Sequence, residues 1–218
     1  MDKPYQVKGI MFDMDNTLLN SHIDFHAMKR EIADFLIGKE LLPHHFSIGE
    51  HTASTIMEQV KSMGIAKNDE EAMMHIALRH EVLGMEGAGL EPGVTELLEA
   101  LTNRYILVVV TNNSRVAAVR ALEETGIISY FDLIIGREQM VAMKPSPSGY
   151  LTAKQHFPRV RDGEWLSIGD SWIDGRASLE AHVPFIGYGN KHELMKEKGV
   201  VPIAHLTDIK KLLDYVQP

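Results

Sequence analysis

Two aspartates one residue apart, Asp13 and Asp15, end an apolar run of the chain. Thr111 and Asn112 follow the apolar run that closes at Val110, and Gly169-Asp170 follows the one that closes at Ile168. Asp174 stands four residues past Asp170, and Lys144-Pro145 comes a short loop after a third run. A hydroxyl, a free backbone N–H and a lysine suit the oxygens of a phosphoryl group. Clustered carboxylates resist joint ionisation and need a cation. Oxygen ligands with few nitrogens suit Mg²⁺. A carboxylate can also attack phosphorus and form an aspartyl-phosphate. Taken singly, each piece has a bland reading. Asp and Asn favour turns after strands, and Lys144-Pro145 alone says little. Asp170 and Asp174 carry more, because residues four apart meet on the first turn of a helix. The shared position just after strands carries the most.

The elements that must place these residues are strands of a parallel sheet, whose chemistry lies beyond their carboxyl ends. The run through Ile10, Met11 and Phe12 reads as a buried strand. From Pro92-Gly93 onward, helix and strand alternate: a helix from Val94, strands Tyr105–Val110, Phe131–Ile135, Trp165–Ile168 and Pro184–Tyr188, and a last helix Asp208–Val216. Ser146-Pro147 reads as an N-cap followed by proline at the first helical position. Repeated β-α units imply an α/β fold with a Rossmann-like parallel sheet.

Between residues 21 and 87 the pattern is helical throughout. Phe25, Met28, Ile32, Phe35 and Leu36 recur at helical spacing. Ile56, Met57, Val60 and Met63 mark a second helix, and Asn68-Asp69-Glu70-Glu71 reads as a capping box opening a third. The first strand precedes this stretch, so the helices form an insertion. The expected division is therefore residues 1–20 with 88–218 as the α/β core, and 21–87 as an inserted all-helical unit. Leu19–His22 and the glycine-rich Gly84–Gly89 read as its two hinges. The many methionines of the insertion read as packing.

Composition narrows the class. The chain has 218 residues, no cysteine and a net charge of −8. Disulfides and Cys-based zinc sites are excluded. The negative charge disfavours nucleic acid and anionic membranes. No apolar run is long enough to span a bilayer, and a cytoplasmic protein, monomer or weak homodimer, is expected.

The motifs Asp13–Thr17, Thr111, Lys144-Pro145 and Gly169-Asp170 with Asp174 resemble the four motifs of the haloacid dehalogenase (HAD) superfamily of phosphohydrolases. The helical insertion resembles the type 1 cap of phosphoglycolate phosphatases and β-phosphoglucomutases. Asn16 departs from the commoner glycine, but Asn tolerates left-handed backbone. The resemblance implies a HAD-type core and a Mg²⁺-dependent phosphatase of a small phosphorylated metabolite. Asp13 is then the nucleophile and Asp15 the acid and base. Mg²⁺ is held by Asp13, the backbone carbonyl of Asp15 and Asp170, with Asp174 holding the metal's waters or Lys144. Thr111, the N–H of Asn112 and Lys144 clamp the phosphoryl oxygens, and the cap closes on the substrate.

Competing readings are weaker. A dehalogenase needs no acid for a halide, which Asp15 argues against. A sugar phosphomutase must hold a second phosphate, yet Ser47–Ser54, which resembles the family's specificity loop, has no Lys or Arg. Its His51 is a candidate substrate contact, against the bland reading of a surface histidine. A non-enzymatic phospho-aspartate switch needs neither the paired aspartates nor the insertion.

Overall fold

The computed structural model describes residues 6–216. The chain runs β1 (Gly9–Phe12), β2 (Leu19–Asn20), α1 (Phe25–Gly38), α2 (Ala53–Ser62), α3 (Lys67–Met85), β3 (Gly89–Leu90), α4 (Val94–Leu101), β4 (Ile106–Val110), α5 (Arg115–Glu124), β5 (Leu133–Ile135), α6 (Ser148–His156), β6 (Trp165–Gly169), α7 (Trp172–Glu180), β7 (Phe185–Tyr188), α8 (His192–Glu197) and β8 (Ala204–Leu206). Contacts divide it into two compact units, His22–Gly87 and the remainder.

The larger unit is an α/β fold on a six-stranded sheet of order β5-β4-β1-β6-β7-β8. Every pairing in it is parallel. Ile10, Met11 and Phe12 are fully buried, as a central strand of a parallel sheet requires. Chain order reverses at β1, which lies between β4 and β6, so the crevice for a ligand opens there. Register fixes which residues share that edge. Phe12 pairs with Val109 on one side and Ile168 on the other. Asp13 is therefore level with Val110 and Gly169, and its N–H donates to Ile168 O at 2.9 Å. Beneath the edge, Met11, Val108, Val110, Tyr150 and Trp165 pack in one apolar cluster. Gly9 has no side chain because the Trp165 ring fills that space: a Cβ there would lie 2.3 Å from it.

A short antiparallel ribbon, Leu19–Asn20 with Gly89–Leu90, joins the chain on either side of the helical unit. Within His22–Gly87, α1 is capped by Asp24, which accepts from Ala27 N at 2.8 Å. In α2, Thr52 and Thr55 cap one another reciprocally. The unit's core is Met28, Ile32, Leu36, Ile56, Met57, Val60 and Met73.

Several expected details are corrected. No capping box opens α3. Ala66 is its N-cap and makes no side-chain bond. Asp69 instead pairs with Lys39 at 2.8 Å, and with Glu70 it lies in the first turn, where acidic charge meets the helix's positive end. Gly84 lies in the last turn of α3. It has no side chain because Ile23 packs on it: a Cβ would lie 2.5 Å from the Ile23 backbone. Leu19–Asn20 and Gly89 form part of the ribbon. Pro147 is the N-cap of α6, and the Ser146 hydroxyl accepts from Ser148 N at 3.3 Å. The last helix is a 3₁₀ segment, Ile209–Asp214, tightened at its start by Asp208, which accepts from Lys210 N at 3.0 Å. α8 and β8 were not anticipated.

Candidate active site

The sheet edge gathers Asp13, Asp15, Thr111, Lys144, Asp170 and Asp174, all buried. Lys144 is the hub. Its ammonium donates to Asp13 Oδ1 at 2.7 Å, Asp174 Oδ1 at 2.6 Å and Val110 O at 2.8 Å. An ammonium has three donors, so all are spent on the protein. Burial works against its charge, but Asp13 and Asp174 outweigh burial and hold the Lys144 pKa raised. Thr17 completes the restraint on Asp13, its hydroxyl donating to Oδ2 at 3.1 Å. The turn that brings Thr17 back needs Asn16 at φ 57°, left-handed backbone that Asn adopts at low cost.

Asp174 is fixed from both ends. At the third position of α7 it reaches back to accept from Ser171 N at 3.0 Å, satisfying an otherwise orphaned helix N–H. Gly169 makes room for it, since a Cβ there would sit 2.8 Å from the Asp174 carboxyl carbon. Asp170 pairs with Lys191, from the loop after β7. That loop also borders a cavity of about 410 Å³, lined by Asn16, Glu91, Asp170 and Tyr188.

Carboxylate oxygens of Asp13, Asp170 and Asp174 lie within 4.8 Å of one another. Two ammonium groups, of Lys144 and Lys191, face them. The surplus of buried negative charge shows in the pKa values. Burial and then the charge of Asp13 push Asp174 up to about 7, against Lys144. The same causes push Asp170 up to about 6, against Lys191. Hard oxygen donors with a charge deficit fit a small divalent cation such as Mg²⁺.

The Asp15 carboxyl turns elsewhere. Its Oδ2 accepts from Asn113 Nδ2 at 2.6 Å, while its Oδ1 is buried without a partner. Burial, then the charge of Asp13, pushes its pKa up to about 7, against hydrogen bonding from Ser21 and Asn113. The paired aspartates thus differ: Asp13 is ion-paired, and Asp15 is a candidate acid.

Thr111 Oγ1 accepts from Asn113 N at 3.1 Å, which leaves its own proton to donate. The Asn112 side chain brackets the Lys144 backbone, donating to its carbonyl at 2.9 Å and accepting from its N–H at 2.8 Å. His51 lies in the helical unit. Its ring stacks on Phe46 at 4.8 Å, and its carbonyl accepts from Lys29 Nζ at 2.9 Å. Segment Ser47–Ser54 has no cation of its own, yet Lys29 of α1 supplies one.

Three residues here have roles that motif reading did not assign. Thr17 was part of the first motif but had no task. Asn113 was legible only as the last residue of a Thr-Asn-Asn run after β4. Lys191 carries no sequence signal at all, because only the pairing of β6 with β7 brings its loop to Asp170.

Residues 10–188 match the sequence profile of haloacid dehalogenase-like hydrolases. A phosphoglycolate phosphatase from Nitrosospira multiformis is 28% identical over 200 residues, 87% of each chain. One from Chromobacterium violaceum is 28% identical over 220 residues, 94% of this chain and 97% of its own. A solved HAD-superfamily hydrolase of subfamily IA from Geobacter sulfurreducens shares the fold, with a TM-score of 0.64, 20% identity and 99% of each chain covered. Among the described residues no helix is long and apolar enough to cross a membrane.

Proposed function

Because this chain belongs to the haloacid dehalogenase-like hydrolase family, we propose that it is a phosphatase of a small phosphorylated metabolite, working through an aspartyl-phosphate on Asp13. The observation that carries this reading is the asymmetry of the aspartate pair. Asp13 is bound by Lys144 and Thr17, while Asp15 is free of cations and has an unpartnered oxygen. Asp13 Oδ attacks phosphorus as the bond to the leaving oxygen breaks. Asp15 gives that oxygen its proton. In the second step Asp15 takes a proton from water, whose oxygen displaces Asp13 from phosphorus. Thr111 donates to a phosphoryl oxygen, and Lys144 does so by releasing one of its three present acceptors.

Mg²⁺ would be held by Asp13, the Asp15 backbone carbonyl and Asp170, with Asp174 supporting it. When bound, it neutralises the charge that the phosphoryl group and the carboxylates share. The metabolite is phosphoglycolate or a compound resembling it, by analogy with the named relatives. The unit His22–Gly87 selects the substrate in the manner of the family's cap. A sugar phosphomutase of the same fold is the second reading. A panel of phosphorylated metabolites assayed with Mg²⁺ tests both. Release of inorganic phosphate from phosphoglycolate supports the proposal. Isomerisation of a sugar phosphate without phosphate release supports the mutase.

A further inference from the structure

Asn113 is 4% exposed, and its amide makes a 2.6 Å hydrogen bond to Asp15 Oδ2. Its backbone is held on both sides. Its N–H donates to Thr111 Oγ1 at 3.1 Å, and its carbonyl accepts from Arg137 N at 3.0 Å. The amide is therefore rigidly presented by the loop after β4, which also carries Thr111. The other Asp15 oxygen, Oδ1, is buried and makes no hydrogen bond; the Ser21 hydroxyl, buried and equally unpartnered, lies beside the carboxyl group. A buried oxygen left without a partner is costly unless something uses it.

We infer that Asn113 is the positioning residue for the acid, fixing Asp15 so that Oδ1 delivers and recovers the proton. A carboxyl group accepts an amide hydrogen best at its carbonyl oxygen, so the acidic hydrogen resides on the opposite oxygen. In the first step the Oδ1–H bond breaks as hydrogen bonds to the leaving oxygen, whose bond to phosphorus breaks while the Asp13–phosphorus bond forms. Asp15 is left as a carboxylate with Oδ2 still on Asn113. In the second step a water proton returns to Oδ1 as the water oxygen bonds to phosphorus and Asp13 departs. The same loop thereby ties the group that binds the phosphoryl oxygen, Thr111, to the group that protonates the leaving oxygen. This inference rests on the proposed acid role of Asp15.

The test is kcat/KM with Mg²⁺ across aryl phosphates, from 4-nitrophenyl to 4-methoxyphenyl phosphate. It compares wild type, Asn113→Ala, Asn113→Leu, Asp15→Asn and the double variant Asp15→Asn/Asn113→Ala. The leucine variant keeps the packing volume in case the alanine variant does not fold. Misplacing a catalytic group by about 1 Å can cost about 100-fold, and general acid help is worth about 10²–10⁴-fold. We therefore expect the Asn113 variants to lose about 10-fold more on 4-methoxyphenyl than on 4-nitrophenyl phosphate. In the double variant, Asn113→Ala should add no further leaving-group dependence to that of Asp15→Asn. Equal losses on all phenols in the Asn113 variants, with a steep dependence in Asp15→Asn, would overturn the role of Asn113 alone. No leaving-group dependence in Asp15→Asn would overturn the acid assignment and this inference with it.

Discussion

The two units of the chain bury different things. The helical unit closes on Met28, Ile32, Leu36, Ile56, Val60 and Met73, and among its described residues only Ser54 and Glu81 are buried polar groups. Its charges lie mostly outside, in pairs such as Lys67 with Glu71, which contribute little in water. The α/β unit buries Asp13, Asp15, Lys144, Asp170 and Asp174 together at one sheet edge. Burying charge is costly and is tolerated where the groups are paired. The difference assigns the tasks. The α/β unit carries the cost of a buried, charged site, and under the proposed function the helical unit is left to vary in what it selects.

The comparison breaks most directly at Lys144. Lys144→Met leaves Asp13 and Asp174 buried without their shared cation. Removing one partner of a buried pair costs about 3–5 kcal/mol. We expect a loss of that size in urea unfolding, with aryl phosphate turnover abolished. A charge removal in the helical unit, Lys67→Met, should shift stability by less than about 0.5 kcal/mol. Comparable losses in the two variants would erase the distinction between the units.

Metal removal comes next in size. EDTA should abolish turnover of 4-nitrophenyl phosphate and Mg²⁺ should restore it. Asp170→Asn should weaken Mg²⁺ binding in calorimetry more than Asp174→Asn. The reverse order would place Asp174 directly on the metal.

A pH effect sharpens the picture for the metal-free protein. Asp15, Asp170 and Asp174 fold with pKa values of about 7, 6 and 7, above their ordinary 3.8. Protonation therefore favours the folded state. This contribution is fully present below about pH 4 and is lost as pH rises through 6 and 7. In EDTA the melting temperature should fall between pH 5 and pH 8, and Mg²⁺ should flatten the trend. A rise over the same window would contradict the burial of these carboxylates as a group.

The smallest effect on chemistry is expected from removing the helical unit. Leu19–Asn20 pairs with Gly89–Leu90, so a short linker can replace residues 22–87. The remaining unit should hydrolyse aryl phosphates slowly and lose selectivity among metabolites. An unchanged metabolite profile would move specificity into the α/β unit.

Much of this division was legible in the sequence. The continuous apolar run of β1 gives way to helical spacing at α1, and the polar residues after Phe12, Val110 and Ile168 together mark the sheet edge. What escaped depends on tertiary placement. Lys191 meets Asp170 only because β7 lies beside β6. Asn113 looks like loop polarity until Asp15 is seen opposite its amide. Gly84 reads in sequence as part of a glycine-rich hinge, and its close packing on Ile23 has no sequence signal. Short, weakly patterned elements such as β8 carry too few residues for periodicity to register.

The central claim is that the two aspartates of β1's edge divide nucleophile from acid. Rapid-quench labelling with ³²P-labelled substrates tests it most directly, comparing wild type, Asp13→Asn and Asp15→Asn on alkyl and aryl phosphates. Asp13→Asn should lose turnover and the labelled enzyme together. Asp15→Asn should lose about 10²–10⁴-fold on alkyl phosphates, far less on 4-nitrophenyl phosphate, and accumulate labelled enzyme that hydrolyses slowly. Label retained in Asp13→Asn, or equal losses on both substrate types with no trapped label in Asp15→Asn, would contradict the account.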